Sequence, residues 1–148
     1  MINHITNFLN KDEISYFIGL YNDDTNPDYM DGRYYRFHSI DLIKKNIISD
    51  KFKHYGLERF RVQMLNETVN QFKINHIHIS VPFSFVIFLN NDFEGGELIF
   101  NDDDIYTPTP GDMIFFTGDE PHRVNNCIGN RYTLVGFCNN NPHYNYIV

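Results

Sequence analysis

Residues 76–134 read HIHISVPFSFVIFLNNDFEGGELIFNDDDIYTPTPGDMIFFTGDEPHRVNNCIGNRYTL, and this stretch decides the fold. His76 and His78 stand two apart in a run of strand character, and side chains at i and i+2 of a strand leave from the same face. Both imidazoles can therefore reach one point. His122 follows a Phe-rich strand and a turn, and Arg131 lies one hairpin further on. Two histidines on one strand and a third from a distant strand suit a metal site inside a β-barrel or sandwich. Taken alone, the first two also fit a polar pair that holds no metal.

Between these residues the chain is short strands and turns. Strands are expected over Ser84–Leu89, Glu97–Phe100, Ile105–Thr107, Asp112–Phe116, His122–Val124 and Arg131–Phe137. Asn, Asp, Gly and Pro separate them, the pattern of a β-sandwich or barrel. In Glu94-Gly95-Gly96-Glu97 the paired glycines permit positive φ and close backbone approach, a structural role. Asp102, Asp103 and Asp104 could be a hard-cation site, but three successive carboxylates in a loop are read as a solvated surface. Phe83, Phe85, Phe115 and Phe116 belong to the core. Alternate members of these runs face opposite sides, so some face the site.

Upstream the pattern changes. Asn10 can cap a helix with Glu13 three residues on, and Ile14, Phe17, Ile18 and Tyr21 follow at helical spacing. A helix from Asn10 to about Tyr21 is expected to pack on the sheet. Asn22 to Asp28 is loop by local signals, and Arg33–His38 is a candidate strand whose Tyr35 and His38 are more simply surface or core than substrate contacts. A second helix is expected within Ile40–Phe52. Arg59–Met64 alternates as a strand, and Asn66–Asn70 is a turn before His76.

Composition sets the bounds. A chain of 148 residues, 42% hydrophobic and 16% aromatic, is sized for a single domain, 1–148. Its N-terminal part, about 1–58, is expected to be helical support for a β core over about 59–148. The net charge of −7 argues against a nucleic-acid partner, since phosphate contacts need a basic surface. No apolar run has membrane-spanning length, and the start of the sequence has no signal-peptide pattern, so a soluble, cytoplasmic protein is expected. Cys127 and Cys138 are read as free, buried thiols.

The ordered set FLNNDFEGGELIF (Phe88 is its first residue), TPGDMIFF, PHRV and GNRYTL resembles the iron(II)/2-oxoglutarate-dependent oxygenases, particularly their small prolyl-4-hydroxylase-like branch. Four matches in one order are specific where a lone Gly-Gly is not. The resemblance covers roughly the C-terminal half. It implies a mainly β fold with N-terminal helices and a double-stranded β-helix core of the jelly-roll or cupin-like kind. It implies iron(II) and 2-oxoglutarate, with ascorbate as an accessory, and dioxygen as oxidant. His122 then matches the distal metal ligand and Arg131 the anchor of the far 2-oxoglutarate carboxylate, with Thr133 adding a hydroxyl from the same face. The implied activity is hydroxylation of a C–H bond, with peptidyl proline the leading substrate and a free amino acid or small metabolite next.

This chain departs from the family pattern at the carboxylate ligand. Where the family has His-x-Asp, the sequence offers His76-Ile77-His78 or His78-Ile79-Ser80. The first register gives a metal set of His76, His78 and His122, and the second leaves a serine in the carboxylate's place. A three-histidine cupin-type dioxygenase that does not use 2-oxoglutarate, and an oxygenase-like binding protein without turnover, are the alternatives.

Overall fold

The computed structural model describes residues 1–22, 28–30, 33–39, 46–57, 59–67, 73–78 and 82–138. Eleven strands and two helices are present among them: β1 (Ile2–Ile5), α1 (Lys11–Asn22), β2 (Asp28–Met30), β3 (Arg33–Ser39), α2 (Asn46–His54), β4 (Arg59–Glu67), β5 (Phe83–Phe88), β6 (Glu94–Gly95), β7 (Leu98–Phe100), β8 (Asp104–Tyr106), β9 (Met113–Thr117), β10 (His122–Val124) and β11 (Cys127–Cys138). The architecture is a jelly roll. An eight-stranded sheet runs β1-β9-β5-β11-β4-β3-β2, with β6 also paired to β11, and a three-stranded sheet runs β10-β7-β8. All pairings are antiparallel.

Alternation along the central strands builds two cores. On one face of the large sheet, Phe60, Val62, Phe85, Ile87, Met113, Phe115 and Leu134 bury against the helices, where Phe17 stacks on Phe52 at 5.6 Å. On the other face, Phe88, Ile114 and Phe116 meet Leu98 and Phe100 of the small sheet. This inner face also carries the polar side chains of the site.

The first helix starts as its sequence predicts. The Asn10 N–H donates to Glu13 Oε1 and the Glu13 N–H to Asn10 Oδ1, both at 2.9 Å, a reciprocal cap that satisfies two otherwise orphaned donors. Glu13 is buried, and Lys51 of α2 reaches it at 2.8 Å while donating to the Phe8 carbonyl at 2.6 Å. A partly desolvated ion pair thus joins the two helices.

Several elements differ from expectation. The candidate strand Arg33–His38 forms as β3, paired with β4, but two short N-terminal strands were not expected, β1, which pairs with β9 at one edge, and β2, which pairs with β3 at the other. Strands of three or four residues are too short to carry a periodicity. Asp28, read as loop, opens β2, and Asn66 and Glu67, read as turn, end β4. The second helix is described from Asn46 to His54, and residues 40–45 lie outside the described part. The side chains of Tyr35 and His38, and residues 68–72, also lie outside it.

The Gly-Gly turn has the structural role read from its sequence. Gly95 and Gly96 hold φ of 71° and 76°. A Cβ on Gly95 would fall 1.7 Å from the Asn126 carbonyl oxygen, and one on Gly96 would meet Phe93 at 2.8 Å and Arg131 Cδ at 3.0 Å. The second glycine therefore makes room for Arg131.

Candidate metal centre and anion seat

His122 opens β10, where the chain turns out of β9 through Pro121. His76 lies opposite it, but not in a strand: a single antiparallel bridge joins them, with the His76 N–H donating to the His122 carbonyl at 2.9 Å and the reverse bond at 3.0 Å. The expected strand through His76 and His78 is thus an extended segment held by one bridge, with the His78 N–H bonded to the Gly118 carbonyl at 2.8 Å. The i, i+2 argument still holds, because extended backbone alternates whether or not it is laddered.

The three imidazoles converge. One ring nitrogen from each of His76, His78 and His122 lies within 4.8 Å of the others. The Nδ1–H of His122 donates to the Glu120 carbonyl at 2.8 Å, and the Nδ1–H of His76 to the Ile74 carbonyl at 3.2 Å. A carbonyl only accepts, so in each neutral ring Nε2 is left as a lone pair, the tautomer a metal needs. His78 Nε2 and His122 Nε2 are 3.0 Å apart. Bonds of roughly 2.1 Å meeting at a right angle also separate two ligand nitrogens by about 3.0 Å, so the pair has the spacing of one edge of an octahedral site. Among the described residues no carboxylate oxygen joins this cluster. Ser80 lies outside the described part.

Burial holds His78 and His122 each down at about 4; for both, the neighbouring histidine charges lower it further, and for His122 the Glu120 carbonyl partly opposes this. Both are neutral at pH 7. The sign of the pH effect follows directly. An unfolded imidazole titrates near 6.5, so between pH 6.5 and 4 the unfolded chain binds more protons, and stability falls as the pH falls. The metal-free protein is expected to lose on the order of 2–4 kcal/mol across this window, after allowance for the water that reaches His78. Urea unfolding at pH 7, 5.5 and 4.5 measures it, and a His78→Gln, His122→Gln double variant should flatten that slope. An unchanged slope would refute the neutral-histidine cluster.

Arg131 lies at the other end of the same cavity. It is 2% exposed, donates through Nε to the Gly96 carbonyl at 3.0 Å, and carries its guanidinium over the Phe88 ring at 5.6 Å. Burial pulls it down to about 10, with Cys127 and Glu97 opposing, so it remains a cation at pH 7. Among the described residues no carboxylate lies within ion-pair distance of it. Thr133 follows two residues on, fully buried, its hydroxyl without a partner among the described residues.

The cavity also holds residues that sequence reading passed over. Arg61, Gln63 and Ser84 line it beside the histidines, and Gln63 Oε1 and Ser84 Oγ are buried with no hydrogen-bond partner among the described residues. The available signal was the alternation of FRVQM, which puts Arg61 and Gln63 on one face. Phe137, 42% exposed, lies 5.1 Å from His78 at the rim. Cys127 is buried and free, its thiol pushed up by burial, while the Cys138 side chain lies outside the described part. Asp102, Asp103 and Asp104 are exposed. Among the described residues no helix is long and apolar enough to cross a membrane.

The sequence model of the 2OG-Fe(II) oxygenase superfamily matches residues 28–139. Among solved structures, the chain is similar to an oxidoreductase of the 2OG-Fe(II) oxygenase family from Burkholderia pseudomallei, at 16% identity and a TM-score of 0.70 over 95% of this chain and 85% of that one. A Pseudomonas putida prolyl-4-hydroxylase aligns at 19% identity and a TM-score of 0.63, over 92% and 90%. A Trichoplax adhaerens prolyl hydroxylase, in complex with a peptide fragment of the hypoxia inducible factor oxygen degradation domain, aligns at 14% identity and a TM-score of 0.65, over 92% and 82%. No curated protein matches the sequence.

Proposed function

The chain belongs to the 2OG-Fe(II) oxygenase superfamily, and from that membership we propose that it is an iron(II)- and 2-oxoglutarate-dependent dioxygenase that hydroxylates a C–H bond, with peptidyl proline the leading substrate. The observation that carries this reading is one cavity with two ends. Three histidine nitrogens converge at the first, and a buried cation with no carboxylate in ion-pair distance among the described residues lies at the second.

The residues fit both groups. His76, His78 and His122 offer imidazole nitrogen donors, which suit iron(II), and backbone carbonyls orient the rings of His76 and His122 so that Nε2 is the free nitrogen. Arg131 would hold the far carboxylate of 2-oxoglutarate in a dry site, where a guanidinium can bond two oxygens at once. Thr133, whose buried hydroxyl has no partner, would donate to the same carboxylate. When bound, iron and 2-oxoglutarate supply the oxidising chemistry, in which the co-substrate is decarboxylated to succinate and a substrate C–H becomes C–OH. The protein's contribution is orientation and exclusion of water. Phe88, Phe116 and Leu98 make the walls apolar, and Phe137 offers the incoming substrate an aromatic face at the rim. The prolyl hydroxylases among the structural neighbours support a prolyl substrate by analogy.

One observation favours a second reading. The described cluster has no carboxylate, so the bound metal would carry one more unit of positive charge than in a two-histidine, one-carboxylate site. Binding without turnover is the consequence if that charge prevents the oxidation. Succinate release in an assay containing iron(II), 2-oxoglutarate and ascorbate separates the readings: iron-dependent succinate is expected, and its absence under conditions where 2-oxoglutarate binds would leave a binding protein.

A further inference from the structure

We infer that Gln63 is a positioning residue for the 2-oxoglutarate carboxylate and completes, with Arg131 and Thr133, a three-sided seat; this rests on the proposed use of 2-oxoglutarate. Gln63 on β4 is the register partner of Thr133 on β11, and Thr133 is in turn the partner of Phe88 on β5. Register partners in antiparallel strands put their side chains on the same face, about 5 Å apart. Gln63, Thr133 and Phe88 therefore form one row on the inner face of the large sheet, and Gln63 and Arg131 line the cavity there. Arg131, two residues from Thr133 and so on the same face, extends its guanidinium over the Phe88 end of that row. Gln63 stands at the opposite end.

Gln63 is 6% exposed and Thr133 0%, yet Gln63 Oε1 and Thr133 Oγ1 have no hydrogen-bond partner among the described residues. A buried polar group left unmade costs about 1–3 kcal/mol. Two of them on neighbouring strands, on the face that also carries the buried Arg131, mark a place built for a polar occupant. The occupant must be an anion, because Arg131 supplies a full positive charge. A carboxylate has four lone-pair positions, so it can accept from the guanidinium, the Thr133 hydroxyl and the Gln63 amide together. A half-turn about the Gln63 Cγ–Cδ bond directs the NH₂ end to the ligand. Gln63 is neutral, so it adds a donor without a second cation.

Calorimetric titration of the iron-loaded, anaerobic protein with 2-oxoglutarate tests the assignment, read beside the Tm of the ligand-free protein and its iron(II) affinity. Gln63→Leu is expected to weaken 2-oxoglutarate binding roughly 5–30-fold. Its iron affinity should be unchanged and its ligand-free Tm unchanged or raised, because an unsatisfied buried amide has been removed. Gln63→Glu should weaken binding further through repulsion. Unchanged affinity in Gln63→Leu overturns the inference, as does a fall in Tm and iron affinity together with 2-oxoglutarate affinity, which is the mark of a merely structural residue. Failure of the unsubstituted protein to bind 2-oxoglutarate overturns instead the functional reading on which the inference stands.

Discussion

The Arg131→Leu variant is expected to bind 2-oxoglutarate about 30–1000-fold more weakly than the unsubstituted protein, a loss of about 2–4 kcal/mol. The reason is an asymmetry of burial. Arg131 is 2% exposed and has no carboxylate partner among the described residues, and in the proposed function the ligand would be its counter-charge. Leucine fills similar space but leaves the ligand's far carboxylate desolvated and unpaired. Iron(II) affinity should change little, because Arg131 is not one of the convergent nitrogens. Calorimetry measures both constants, and unchanged 2-oxoglutarate binding in the Leu variant removes Arg131 from its assigned role.

Single alanine changes at His76 or His122 are expected to abolish iron(II) binding at micromolar concentration. Each removes one of the three donors clustered among the described residues, and two nitrogens without a carboxylate make a weak site. His78→Asp should keep or strengthen binding, since it restores a charged oxygen at a position that already reaches the cluster. Ser80→Asp should bring no systematic benefit under this register, although Ser80 itself lies outside the described residues. Iron titration of the four variants decides the register. Normal binding by His76→Ala, together with higher affinity and more succinate from Ser80→Asp, would sink the three-histidine reading.

How much of this the sequence disclosed depends on the range of each interaction. The Asn10–Glu13 cap is local, and it forms as its spacing indicates. The Gly95-Gly96 turn was legible as a backbone requirement, but that Gly96 clears space for Arg131 depends on a strand 35 residues away. The convergence of His76, His78 and His122 was legible through the two-residue period and the order of the motifs. Gln63 was not, because a polar residue on an alternating strand reads as solvent-facing until its neighbours are known. Its burial is decided by Thr133 and by the small sheet, both distant in sequence. The edge strand β1 was missed for a related reason: four residues derive their conformation from β9 and little from their own propensity.

His76 and His122 are joined through the main chain by one pair of reciprocal hydrogen bonds, which no ladder extends among the described residues. A ladder would make the His76 arm part of the barrel's cooperative unit, so that it opened only on global unfolding. An arm fastened by that bridge and the single His78 N–H bond to the Gly118 carbonyl can come away alone, breaking three backbone bonds near a cavity open to water. A metal held there would escape on the timescale of that local opening rather than that of denaturation. Chelators would then strip the centre from an intact fold, and amide exchange at His76 and His122 would be fast without iron and slow with it. In that case iron occupancy would track the surrounding supply of the metal while the protein stayed folded.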